Sequence, residues 1–208
     1  MNAFVSRSND LAPHVLLAPL LGLLLLAGRI SAAAEPSRVR VLENIAYKSG
    51  ATASDYERER CRIDLYLPEG QSGFATLVWF HGGGLKAGGR RSDGTERIAR
   101  SLAAGGLSVA AVDYRLSPKV AFPAYLDDAA AAFAWVRRHI VEHGGSDAKV
   151  FIGGHSAGGY LAALVALDGR YLRAYALEGS AIAGVIPVSG QMITHSTVRQ
   201  ERGLTRND

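Results

Sequence analysis

An α/β fold with a mostly parallel central sheet is what this 208-residue sequence predicts, and three observations predict it. Beyond residue 34, short runs of β-branched and aromatic residues alternate with longer stretches of helical periodicity, the pattern of strands joined by crossover helices. Several of the strand-like runs are almost continuously apolar, as strands covered on both faces are. The composition, 48% apolar and 20% charged, is that of an ordinary globular domain with enough apolar residues for a core.

The elements follow in order. Arg7 precedes a leucine-rich stretch, Val15 to Ala27, and small residues then end at Ala32-Ala33-Ala34 before Glu35-Pro36. That is the layout of a signal peptide with an A-x-A cleavage site. The apolar run is shorter than the roughly 20 residues of a spanning helix and contains Pro19. We therefore expect residues 1–34 to be a signal peptide, with an uncleaved membrane anchor as the alternative, and residues 35–208 to form one domain. The mature chain would begin at Glu35, in the periplasm or outside the cell, with no membrane contact after cleavage.

Val39 to Tyr47 and Cys61 to Leu67 flank a polar segment, Ser49 to Arg60, and read as an opening hairpin that Pro68-Glu69-Gly70 closes. Ala75 to Phe80, Leu107 to Val112, Val150 to Ile152 and Ile182 to Val188 read as buried strands, although Pro187 weakens the last. A helix is predicted over about Thr95 to Ala104. Another follows Phe122-Pro123, where Tyr125, Ala129, Phe133, Val136 and Ile140 recur at helical spacing until Gly144-Gly145. A third covers about Ser156 to Leu167 before Asp168-Gly169.

Composition also removes some function classes. Twenty-three basic residues against nineteen acidic give a formal charge of +4, but the basic residues are scattered, so no nucleic-acid partner is expected. Cys61 is the only cysteine, which rules out an intramolecular disulfide. No short-spaced cluster of cysteine and histidine suggests a metal, and no cofactor is expected.

Two glycine-rich motifs carry the chemistry. Gly154-His155-Ser156-Ala157-Gly158-Gly159 lies between a predicted strand and a predicted helix. A nucleophilic serine lifted above a sheet on a tight turn needs that context, and small residues on either side of it. His81-Gly82-Gly83-Gly84 directly follows the strand ending at Phe80. Its amides, with that of Ala157, can hold an oxyanion without side-chain obstruction. A phosphate-binding loop is the competing reading of Gly82 to Gly89, but Lys86 is followed by alanine and no Gly-Lys-Ser/Thr occurs.

These motifs resemble those of the α/β-hydrolase superfamily, and within it the hormone-sensitive-lipase-like esterases and the bacterial feruloyl-esterase and kynurenine-formamidase-like carboxylesterases. The resemblance runs from about Cys61 to the end and includes Val112-Asp113-Tyr114-Arg115-Leu116-Ser117-Pro118 and Phe122-Pro123-Ala124 with Asp127-Asp128. It implies an α/β-hydrolase fold with helices on both faces of the sheet, and hydrolysis of small-molecule carboxylic esters through an acyl-enzyme on Ser156. Gly82, Gly83, Gly84 and Ala157 would hold the oxyanion. Asp113, Arg115 and Asp128 would be structural, through an ion pair under the loops or as solvated charges. His81 and His155 would act locally, and Lys86-Ala87 departs from the family pattern.

The triad order in that superfamily is serine, acid, histidine. After Ser156 the acidic residues are Asp168, Glu178, Glu201 and Asp208, and the only histidine is His195. Asp168 would lie about 18 Å along the helix from Ser156, too far to orient a base. His195 precedes Glu201 and Asp208, the reverse of the expected order. We therefore expect the last strands, with the catalytic acid and histidine, to be missing and the chain to be impaired. A non-catalytic binding protein of the same fold and an arylformamidase-type amide hydrolase are the alternatives.

Overall fold

The computed structural model describes residues 37–204. The expected signal peptide and the start at Glu35 lie outside those residues. The strands are β1 (Val39–Ala46), β2 (Arg62–Pro68), β3 (Phe74–Phe80), β4 (Ser108–Val112), β5 (Gly145–His155) and β6 (Val185–Val188). The helices are α1 (Asp55–Arg60), α2 (Asp93–Ala104), α3 (Ala124–His139), α4 (Ala157–Leu167), α5 (Arg170–Arg173) and α6 (Ser196–Glu201).

All six strands join one sheet in the order β1-β2-β4-β3-β5-β6. β1 and β2 pair antiparallel and β2 runs antiparallel to β4, whereas β4, β3, β5 and β6 are mutually parallel. The α/β class and the mostly parallel sheet are thus as the sequence predicts. Alternation along β3 sorts its side chains to two cores. Val78 and Phe80 pack with α3 and α4, while Leu77 and Trp79 pack with Ala99 and Ala103 of α2. Helices therefore cover both faces.

The connection between β1 and β2, in sequence only a polar segment, contains α1. Ser54 and Glu57 close a capping box there: the Glu57 N–H donates to Ser54 Oγ (3.2 Å) and the Ser54 N–H to Glu57 Oε2 (3.0 Å). The Ser54 backbone N–H does most to hold the Glu57 carboxyl down to about 2, helped by Arg115 and Lys48.

Three other boundaries shift. α3 ends at His139, and Ile140–His143 tightens into a 3₁₀ turn before Gly144 at φ +93°, so Ile140 stays buried without being α-helical. β5 starts at Gly145, five residues before its apolar run, because the polar stretch 146–149 remains in strand conformation. β6 is shorter than expected, starting at Val185 rather than Ile182.

Pro187 is accommodated by register. The Ile152 N–H donates to the Gly184 carbonyl (3.0 Å) and the Ser156 N–H to that of Val188 (2.9 Å), so residues 184, 186 and 188 face β5. Pro187 faces away, where its missing N–H breaks no bond. Among the described residues β6 is the outermost strand on this side of the sheet, with Val185, Ile186 and Val188 each about 40% exposed.

Two charge networks brace the loops above the sheet. Asp113, at the end of β4, accepts from the Arg90 backbone N–H (2.6 Å) and pairs with the Arg90 guanidinium, which also reaches Asp64 (2.9 Å). Arg115 grips Asp128 through Nε and a terminal nitrogen (2.8 Å each), and Lys48 joins from the other side. Asp113, Arg115 and Asp128 are thus ion-paired, with the Asp128 side chain fully buried. Burial and the nearby Asp128 carboxylate push the Cys61 thiol up to about 12, so it stays protonated.

Candidate active site

Ser156 is the N-cap of α4, directly after β5, with φ +54° and ψ −117°. L-residues rarely take that conformation, and a strained serine between strand and helix projects its hydroxyl clear of both. The neighbours show why the turn needs glycines. A Cβ at position 154 would lie 2.5 Å from the Gly158 carbonyl carbon and 2.6 Å from the Phe80 carbonyl oxygen. One at position 158 would lie 2.0 Å from the Phe80 oxygen and 2.8 Å from that of His81. Neither backbone can yield without moving β3 away from β5. Gly158→Ala is therefore expected to destabilise the fold by about 2–3 kcal/mol, the upper part of the usual overpacking range, read as a lowered urea midpoint.

The His81 loop runs beside this serine. A Cβ at Gly82 would come within 3.4 Å of Ser156 Cβ and 3.2 Å of His155 Nδ1. Gly83 and Gly84 take φ +115° and +63°, and the loop folds back so that the Lys86 and Ala87 N–H groups both donate to the Gly83 carbonyl (3.0 Å each). Among the described residues, none of the backbone hydrogen bonds outside regular elements is donated by Gly82, Gly83, Gly84 or Ala157. The N-terminus of α4 adds partial positive charge beside the serine.

His81 and His155 act as neighbours of these groups. The buried His81 ring stacks on Tyr114 (4.4 Å between centroids), and its Nδ1 donates to the Gly82 carbonyl (2.6 Å). Burial holds its pKa below the usual imidazole value. A cavity of about 150 Å³ bounded by Trp79, Gly82, Thr95, Ile98 and His155 adjoins the loop. A larger apolar cleft of about 230 Å³ lies between α4 and residues 191–194, and Ser156 does not line it.

His195 is buried as the N-cap of α6, where its Nδ1 accepts the Thr197 N–H (3.2 Å). Burial lowers its pKa, so the ring is neutral and carries its proton on Nε2. A serine-activating imidazole needs the opposite tautomer, with Nδ1–H on a carboxylate and Nε2 free to take the serine proton. Glu201 makes its hydrogen bonds elsewhere, through Oε2 from the Phe122 N–H (2.9 Å) and Tyr125 Oη (3.1 Å), and its buried Oε1 has no partner among the described residues. Asp168 is paired with Arg170 at the far end of α4 (2.6 Å). The structure thus brings Ser156, the glycine loop and Ala157 together and gives them no base–acid pair among the described residues. The contacts α6 makes with the glycine loop have no counterpart in the sequence reading, because nothing in residues 196–201 marks them.

A family model described as the alpha/beta hydrolase fold matches residues 77–207. The chain belongs to that family. Among curated relatives, it is 41% identical over 91 residues to the carboxylesterase NlhH of Mycobacterium tuberculosis, which is 43% of this chain and 28% of that protein. It is 38% identical over 102 residues to the carboxylic ester hydrolase LipN of the same organism, 48% of this chain and 27% of the relative. Among solved structures, the hyperthermophilic esterase of the archaeon Pyrobaculum calidifontis aligns at 30% identity and a TM-score of 0.58, covering 76% of this chain and 46% of that one. A bacterial heroin esterase aligns at 28% identity and 0.51, covering 73% and 44%. The match thus spans under a third of these curated relatives and under half of these solved structures. The family is one of ester hydrolases, as the two glycine motifs imply.

Proposed function

We propose that this protein hydrolyses carboxylic esters of small molecules through an acyl-enzyme on Ser156. The observation that carries this reading is the strained serine at the start of α4 with the glycine loop beside it, and we assign the oxyanion to the amides of Gly82, Gly83, Gly84 and Ala157. In the proposed reaction Ser156 Oγ attacks the ester carbonyl carbon and loses its proton, and the carbonyl oxygen becomes an anion held by those amides. The intermediate collapses by expelling the alcohol, which takes up a proton, and water then cleaves the acyl-serine to free acid and serine. The carboxylesterases and esterases among the relatives support this substrate class. Because His195 carries the wrong tautomer for a base, we propose that the 208-residue chain runs this reaction poorly. The proposed location, periplasmic or secreted from Glu35 onward, rests on the leucine-rich segment and the Ala32-x-Ala34 site.

A fluorophosphonate probe tests the reading. It is expected to phosphonylate Ser156 slowly, with fluoride leaving, and peptide mapping should find the adduct on that serine and none in Ser156→Ala. A parent chain whose Ser156 stays unmodified after prolonged exposure to excess probe would overturn the assignment.

A further inference from the structure

We propose that Thr197 is a positioning residue for the glycine loop, a role that rests on the reading of Ser156 above. Its side-chain hydroxyl donates to the Gly84 carbonyl at 2.6 Å, across 113 residues of sequence. Thr197 is buried, and its own N–H is fixed by His195 Nδ1, so both ends of the residue are held.

The reason this contact matters lies in Gly84. At φ +63° and with no Cβ, it is the loop position with the most rotational freedom and the least side-chain anchorage. The peptide plane on its N-terminal side is held through the Gly83 carbonyl by the Lys86 and Ala87 N–H groups. The plane on its C-terminal side is held through the Gly84 carbonyl by Thr197. With the first plane fixed, the Gly84 N–H that lies in it keeps one direction, and Thr197, by holding the second, limits rotation of Gly84 about ψ. An oxyanion site is effective only when its donors are aligned before charge develops.

α6 is built to deliver that hydroxyl. Thr197, Gln200 and Glu201 stand at i, i+3 and i+4, on one face of the helix. Gln200 Oε1 accepts from Lys86 Nζ at 2.8 Å, and Glu201 Oε2 takes the Phe122 N–H and the Tyr125 hydroxyl. Arg202 lies over the Phe122 ring, 4.7 Å from its centroid. The helix therefore touches the loop at Gly84 and Lys86 and braces itself on the start of α3. Lys86, a departure from the family pattern in the sequence, is the residue that ties the loop to Gln200.

Thr197→Val removes the hydroxyl at nearly constant shape, and Thr197→Ser keeps it. Two rates are read in each: hydrogen exchange at the Lys86 and Ala87 amides, and fluorophosphonate labelling of Ser156. The valine variant is expected to exchange about five-fold faster at those two amides and to label about five-fold more slowly, with serine restoring both. Peptides from β3 and β5 report any loss of the whole fold, and Thr197→Ala replaces the valine variant if that one does not fold. Unchanged exchange at Lys86 and Ala87 overturns the proposal. Faster exchange with labelling at the parent rate also overturns it, because Thr197 would then be a structural contact only. If the parent itself does not label while exchange still rises in Thr197→Val, the reading of Ser156 fails and the positioning role fails with it.

Discussion

Replacing Asp128 with alanine is expected to cost about 3–5 kcal/mol of stability. The side chain is fully buried and carries two hydrogen bonds from the Arg115 guanidinium, one from the Arg115 N–H at 3.0 Å, and the Lys48 ammonium. Removing one member of a buried ionic group leaves its partners desolvated and uncompensated, which is where costs of that size arise. Glu57 lies 3.4 Å from both Lys48 and Arg115 and retains part of the balance, so the lower end of the range is expected. For a domain of this size the melting temperature should fall by roughly 10 °C. Asp128→Asn keeps the shape and some of the hydrogen bonds and should fall less. A melt unchanged in both variants would mean that the network contributes nothing net.

The purified 208-residue chain is expected to turn over a short-chain nitrophenyl ester at a rate on the order of 10⁴-fold or more below the roughly 10 per second of a median enzyme. A serine hydroxyl is a weak nucleophile until a base takes its proton, and the neutral His195 already uses Nδ1 as an acceptor for Thr197. What remains is the acceleration that oxyanion donors and binding supply without a triad. His195→Ala should lower that trace only a few-fold, through the Thr197 N–H that its Nδ1 fixes, and Ser156→Ala should alter it only slightly. Turnover near 10 per second, abolished by both substitutions, would show that His195 is a working base and reverse this account.

Much of the serine site is legible in the sequence, for a physical reason. A tight strand-to-helix turn around Ser156 leaves no space for a side chain at 154 or 158, so the backbone geometry prescribes the residues and the motif can be read directly. The strands of the parallel sheet are legible for a similar reason, since Leu77 to Phe80 must be apolar on both faces. α1 was also written in the sequence, in the Ser54 and Glu57 pair, but its exposed, charged surface gives no apolar period and hides it. Ile140 misleads in the other direction, because a buried position in a 3₁₀ turn continues the helical spacing past the helix. The clasp of α6 on the glycine loop is of another kind. Thr197, Gln200 and Glu201 are ordinary polar residues whose partners lie far back along the chain, and only the folded arrangement gives them meaning.

Pro187 sets how this molecule can meet another strand. A backbone approaching the outer side of β6 finds the Val185 N–H and the carbonyls of Val185 and Pro187, but no donor at 187. The next rung of any added ladder is one-sided. The half-exposed valines and isoleucine of β6 can still draw apolar surfaces together, yet side-chain attraction has no register. Molecules gathered through this edge would stick without templating one another, and the stacked repeat of a cross-β fibre, which needs every backbone group paired, is blocked at Pro187.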